Sequence, residues 1–371
     1  MSSAAGPRRL GRRPALDGFR GLAVLLVICD HAHVPLRAGW IGVDLFFVLS
    51  GFLITSLLLE ERVRDGRISL RGFYARRARR ILPALALLTI AIAAVSLTLH
   101  QLQDRWPWWA QAGTTWTFTA NATVWLDGAP IGAFTPTWSL ACEEQFYLLW
   151  PLALLAMGAR GWSARRMLAA LAAAVAALAA AAWLATVTVH SSRPFFSPLG
   201  RGAELLIGCA LAVAWRHDLL PRPLASRAAA LGALAVLAAL VVCTPLSTES
   251  TYLVAALCST VLLLALLEQS SRALTRVFSL SPLRYTGKIS YGLYLVNDAV
   301  SRLLHHNLPG RPWWEIAPLL LVGSYACAAL SYRFVESRFL RREPQSASRQ
   351  KDQKNQRGPE GQEPQEALAS A

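Results

Sequence analysis

Charged residues are scarce in this chain, at 16% of its 371 residues against about a quarter in an average soluble domain. Lysine is nearly absent, with three residues against 34 arginines. No glycine-rich phosphate loop, dinucleotide fingerprint or zinc-ligand spacing occurs, so nucleotide hydrolysis and metal chemistry find no support. The six cysteines fall in apolar stretches with no paired spacing, which reads as small core residues and not as metal ligands or a disulfide framework. The net charge of +15 comes without a basic groove interleaved with aromatics, so nucleic acid is not an expected partner.

What the chain has instead is apolar length. Hydrophobic residues make up 54% of it and the mean hydropathy is +0.37. Runs of about twenty apolar residues, the length a bilayer-spanning helix needs, recur along most of the sequence. Ten candidates stand near residues 19–34, 41–59, 81–100, 138–157, 168–189, 199–215, 228–244, 251–267, 287–305 and 314–335. In lipid every backbone group needs an internal partner, so these spans are expected to be helices. The expected fold class is all-α, a polytopic membrane protein of about ten transmembrane helices.

Charge placement orients it. With the residues before 19 in the cytoplasm, the outer loops hold only Arg37, Arg105, Arg193 and Arg311, while most other cations fall inside. This positive-inside bias puts both termini in the cytoplasm. The expected organisation is a basic amino terminus (1–15), a transmembrane domain (16–340) and a polar, disordered cytoplasmic tail (341–371). A multi-pass protein of the cell membrane follows, with the lipid bilayer as its first partner. The basic start resembles a signal peptide, but the next helix carries Arg20 and no small-residue cleavage site, so it reads as a retained first span. The outer segment near 101–137 carries five tryptophans, which suit an interfacial belt or stacking on a sugar face.

Polar residues inside apolar spans are costly and usually mark a site. Arg20 and His31 are eleven residues apart, about three helical turns, so they share one face about 16 Å apart along the axis. Asp17 lies on that face and His33 nearly opposite. The plainer reading of Arg20 is snorkelling to headgroups. Asp44 opens the second span, where it can orient a histidine, bind a hydroxyl or simply favour the helix amino end. Ser50 lacks the preceding glycine of a nucleophile elbow and is not read as a nucleophile. Arg76, Arg77 and Arg80 share a helical face suited to bidentate phosphate binding, or they only set topology. Glu143 opens the fourth span, one turn from Tyr147, and is expected to hydrogen-bond His31 directly or through one water, as the orienting acid does in a triad. Glu144 is expected to face headgroups or solvent. Tyr291 and Tyr294 are interfacial anchors or substrate contacts, and Glu336 with Arg333 reads as no more than a helix-end ion pair.

Five segments in order resemble the acyltransferase-3 family: Leu16-Asp17-Gly18-Phe19-Arg20-Gly21 with His31, Gly42 to Ile54, Phe73 to Pro83, Trp138 to Tyr147, and Ser290 to Leu295. The resemblance covers about residues 15–340. Members are integral membrane O-acyltransferases that move acyl groups, often acetyl from acetyl-CoA, to hydroxyls of polysaccharides, glycolipids or macrolides. It implies that Arg20 and His31 are catalytic with Glu143 as the functional acid. It likewise implies that Arg76, Arg77 and Arg80 hold the acyl-CoA co-substrate, and that the acceptor is a carbohydrate or glycosylated molecule. Asp44, Tyr291 and Tyr294 are the candidate substrate contacts. One departure stands out: Val296-Asn297 occupies the place where the family usually has an aromatic residue followed by histidine. The rival reading is a transporter of a glycolipid or small molecule, with the same Arg, His and Glu serving as a proton relay.

Overall fold

The computed structural model describes residues 8–99, 101–102, 106–127, 132–189, 196, 198–243 and 248–340. Among these there are helices and no strands. In chain order they are α1 (Pro14–His31), α2 (Ile41–Asp65), α3 (Leu70–Thr98), α4 (Trp108–Trp116), α5 (Ala120–Asp127), α6 (Thr137–Ala159), α7 (Ala164–Val189) and α8 (Pro198–Arg216). There follow α9 (Arg227–Cys243), α10 (Thr248–Glu268), α11 (Arg272–Phe278), α12 (Ser281–Lys288), α13 (Ser290–Asn307), α14 (Trp313–Ser331), a π-helical turn (Tyr332–Glu336) and α15 (Ser337–Leu340). The first seven and the last residues of the chain, including the tail expected over 341–371, lie outside the described residues.

A helix forms over each of the ten apolar stretches, but among the described residues five segments are long and apolar enough to cross a membrane: Ile41–Asp65, Leu70–Thr98, Ala164–Ala185, Ser250–Glu268 and Trp313–Leu340. Other helices are diluted by charged residues: α1 holds Arg20, α6 Glu143 and Glu144, α8 Arg201 and Glu204, and α13 Asp298 and Arg302. Local signals set several boundaries. Pro14 starts α1, where a missing N–H costs nothing. Ser69 caps α3 by accepting from Gly72 N at 3.2 Å. Gly66, at φ 70°, ends α2 in the left-handed conformation. The first helix begins and ends earlier than the expected 19–34. It stops at His31, and His33 follows in a turn at φ 53°.

α2 runs through the centre and packs most closely on α8. A Cβ on Gly51 would lie 2.0 Å from the Leu205 carbonyl oxygen, and one on Gly208 would lie 2.1 Å from that of Val48. Backbone approach this close needs glycine on both helices. Gly51→Ala is expected to force α2 and α8 apart and to cost about 1–3 kcal/mol, the usual range for overpacking. Thermal unfolding in detergent checks this, and an unchanged melting temperature would contradict it. By contrast α7, nearly pure Ala and Leu, is largely exposed and touches the rest mainly through α8.

Of the cysteines, Cys142 and Cys209 are buried as expected, whereas Cys243 and Cys327 are exposed. Asn121 is buried and exchanges hydrogen bonds with the Gln145 amide at 3.1 and 2.9 Å, a structural amide within the Asn-Ala-Thr sequence. Trp109, Trp116 and Trp125 keep more than a third of their surface exposed.

Candidate active site

Four helices, α1, α2, α6 and α13, enclose a cavity with about 520 Å³ of empty space. Arg20, Ser50, Glu143, Tyr291 and Tyr294 line it. Ser50 Oγ donates to Glu143 Oε1 at 2.7 Å, so the hydroxyl fixes the carboxylate within the cavity. The Tyr294 and Ser139 hydroxyls are 2.6 Å apart, and Tyr291 OH donates to the Ile81 carbonyl of α3 at 3.2 Å. Four residues singled out from the sequence, Arg20, Glu143, Tyr291 and Tyr294, therefore meet in one place.

A second, open cleft with about 930 Å³ of empty space lies against the first turns of α3. Arg64, Arg76, Arg77 and Arg80 line it, with Glu61 and the apolar side chains of Ile54, Leu57 and Phe73. Two carboxylates hold two of the guanidiniums. Arg76 donates to Glu61 at 3.0 Å, and Arg77 donates twice to Glu144 Oε1, at 3.1 and 2.7 Å. Arg77 also lies over the Tyr147 ring, 3.5 Å from its centroid. Glu144 is thus not a headgroup-facing acid, because a basic side chain one helix away claims it. Arg80 lies in electrostatic range of Arg20, Glu143 and Tyr291, so the arginine cleft and the Arg20 cavity form one charged assembly.

His31 stands elsewhere. At the carboxyl end of α1, its Nδ1 lies 3.0 Å from the Val27 carbonyl, and its Nε2 faces Asp298 Oδ1 at 3.6 Å. The carboxylate that the imidazole meets is Asp298 of α13, not Glu143, which correspondingly turns to Ser50. The expected Glu143–His31 pair fails because the two helices bring different levels together than a count from their ends suggests.

Asp44 departs from its expected role as well. It is fully buried and bonds Arg201, which also donates to Glu204 at 2.9 Å. The Arg201 guanidinium packs over the rings of Tyr252 and Trp138, at 3.9 and 5.3 Å to their centroids. With its carboxylate sealed in that ion cluster, Asp44 takes no part in lining the cavity. Glu336 accepts from Ser331 at 2.8 Å and is buried, while Arg333 is exposed, so the expected helix-end pair gives way to a hydroxyl contact inside the π turn. Asn297 donates to the Leu293 and Tyr294 carbonyls at 3.0 and 2.7 Å, using its amide to bond its own helix.

In the sequence Arg201 and Glu204 read only as charges interrupting the start of the sixth span, and Asp298 as the end of the 287–298 segment, with no role given to any of the three. The signal for each was present: charge inside an apolar stretch is expensive unless paired or used.

A family model described as an acyltransferase domain matches residues 13–333. The peptidoglycan O-acetyltransferase OatA of Listeria monocytogenes is 31% identical over 347 residues, covering 87% of this chain and 55% of its own length. The putative peptidoglycan O-acetyltransferase YrhL of Bacillus subtilis is 34% identical over 356 residues, covering 87% and 54%. A putative O-acetyltransferase of Staphylococcus aureus, SAS0844, is 28% identical over 364 residues, covering 90% and 58%. The chain spans a little over half the length of these curated relatives. No solved structure matches.

Proposed function

This chain belongs to the acyltransferase-3 family, and from that premise we propose that it transfers an acyl group, acetyl by preference, from acyl-CoA to a carbohydrate hydroxyl at the cell membrane. In this reading ten helices span the plasma membrane, both termini are cytoplasmic, and the acceptor is a cell-envelope polysaccharide such as peptidoglycan. The observation that carries it is the nearness of the arginine cleft to the cavity: Arg80 of the cleft lies in electrostatic range of Arg20 and Glu143 of the cavity. A CoA is a chain of phosphates followed by a long uncharged arm and a thioester. Cations along an open cleft, and nearby a largely apolar cavity carrying Arg20, Glu143, Tyr291 and Tyr294, fit that order of groups.

Arg76, Arg77 and Arg80 hold the donor phosphates. Arg20 lies eleven residues before His31, about 16 Å away along α1, too far to act on the same carbonyl as the imidazole. Its role is with the donor inside the cavity, beside Glu143, Tyr291 and Tyr294. His31 is the general base. It takes the acceptor hydroxyl proton as the oxygen attacks the thioester carbon, the carbon–sulfur bond breaks, and the thiolate leaves to be reprotonated. Such a base is worth about 10²–10⁴-fold in rate.

The donor half is tested by steady-state kinetics of CoA release at varied acetyl-CoA. Arg77→Ala is expected to raise the donor KM about tenfold or more, the loss of one or two charge-assisted hydrogen bonds, with kcat changed less. Glu144→Gln is expected to shift KM the same way, since it loosens Arg77. An unchanged donor KM in both variants would leave these arginines with topology alone.

A further inference from the structure

The last turns of α13 surround the end of α1 with polar groups that have no place in the donor assembly. Asp298, Ser301 and Arg302 lie at positions i, i+3 and i+4 of α13, one face of that helix. Each has a defined partner. Ser301 Oγ donates to the His31 carbonyl oxygen at 2.7 Å, tying the end of α1 to α13. Arg302 Nε donates to Asp298 Oδ2 at 2.7 Å, which leaves Oδ1 turned toward the imidazole. Asp298 is 8% exposed, so little water competes for its carboxylate.

The ring nitrogens of His31 then have different environments. A backbone carbonyl can only accept, so the Nδ1 atom 3.0 Å from Val27 O carries the hydrogen in the neutral ring. That leaves the lone pair on Nε2. At 3.6 Å from Asp298 Oδ1, Nε2 is beyond hydrogen-bond length but inside ion-pair range. A neutral imidazole in this setting keeps its basic nitrogen free. Once Nε2 takes a proton, the new N–H and its positive charge face a carboxylate already fixed by Arg302.

We propose that Asp298 is the positioning residue of the reaction, setting the His31 ring and balancing the charge that the ring gains when it accepts the acceptor's proton. The inference rests on the reading of His31 as general base. The proton passes from the acceptor hydroxyl to Nε2, the oxygen–carbonyl bond forms, the carbon–sulfur bond of acyl-CoA breaks, and the departing CoA thiolate takes the proton back from Nε2. Asp298 acts through the histidine and touches no reacting atom. Arg302 holds Asp298, and Ser301 holds the end of the base's helix.

The test is a double-mutant cycle on the full chain in lipid nanodiscs, reading transfer from labelled acetyl-CoA to solubilised peptidoglycan fragments. Asp298→Asn is expected to lower kcat by about 10²-fold, at the lower end of what a general base supplies, and to leave the acetyl-CoA KM within twofold. Asp298→Glu keeps the charge and is expected to recover most of that loss. In a His31→Ala background, Asp298→Asn is expected to remove nothing further, because the two residues act as one unit. Additive losses, or a Glu variant no better than Asn, would overturn the role. Should Asp298→Asn fail to fold, Arg302→Gln reads the same line: it frees Oδ2 but keeps the carboxylate, and a kcat unchanged by it would count against the proposal. Full activity in His31→Ala itself would mark the failure of the general-base reading, separately from an active-site histidine that works without Asp298.

Discussion

His31→Ala is expected to lower acyl transfer by about 10²–10⁴-fold, while His33→Ala stays within a few-fold of the parent. Only one residue separates the histidines, yet their settings differ. His31 closes α1, with its ring between the Val27 carbonyl and Asp298. His33 lies beyond the helix end at φ 53°, exposed, with its ring edge-on to His305 at 4.8 Å between centroids. Initial rates of both purified variants, alongside their melting temperatures, give the comparison. Equal losses in two folded proteins would show that position on the α1 face does not select the base.

Arg201→Met carries the largest expected effect on stability. Arg201 is fully buried between Asp44 of α2 and Glu204 of its own helix, so its removal leaves two carboxylates in the core without their cation. Breaking a buried ion pair from one side costs about 3–5 kcal/mol. The single variant is expected to melt far below the parent or to fail to accumulate. Replacing all three charges, with Asp44→Asn and Glu204→Gln added, is expected to recover much of that loss, because no uncompensated charge remains. Unfolding monitored in detergent distinguishes the two variants. A single variant as stable as the parent would mean the cluster is not what joins α2 to α8.

The helices were legible because apolar length and backbone hydrogen bonding leave a membrane chain few alternatives. Arg20, Glu143, Tyr291 and Tyr294 were each legible as candidates, because each is a polar group set at the start of, or within, an apolar stretch, but their meeting in one cavity was not. Which carboxylate meets which cation was not legible either. Asp44 and Arg201 are 157 residues apart, and their contact follows from the α2–α8 approach at Gly51 and Gly208. Periodicity within one helix carries no such information. Depth was hidden too. Glu143 and His31 were paired by counting from helix ends, but α6 presents Glu143 to Ser50 while α13 presents Asp298 to the histidine. Asp298 carries no motif of its own in the sequence, where it follows Asn297 at the place family resemblance leads one to expect a histidine. The amide there bonds its own helix, and the next residue carries the charge.

The most direct measurement follows the acyl group itself. Purified protein in nanodiscs would receive acetyl-CoA labelled in the acetyl carbonyl, together with peptidoglycan fragments. Appearance of label as an alkali-labile ester on the carbohydrate, with stoichiometric release of CoA and loss of both in His31→Ala, is the expected result. No ester and no CoA release from a folded protein, with an intact glycolipid instead moved across a reconstituted bilayer, would contradict acyl transfer and leave a transporter in its place.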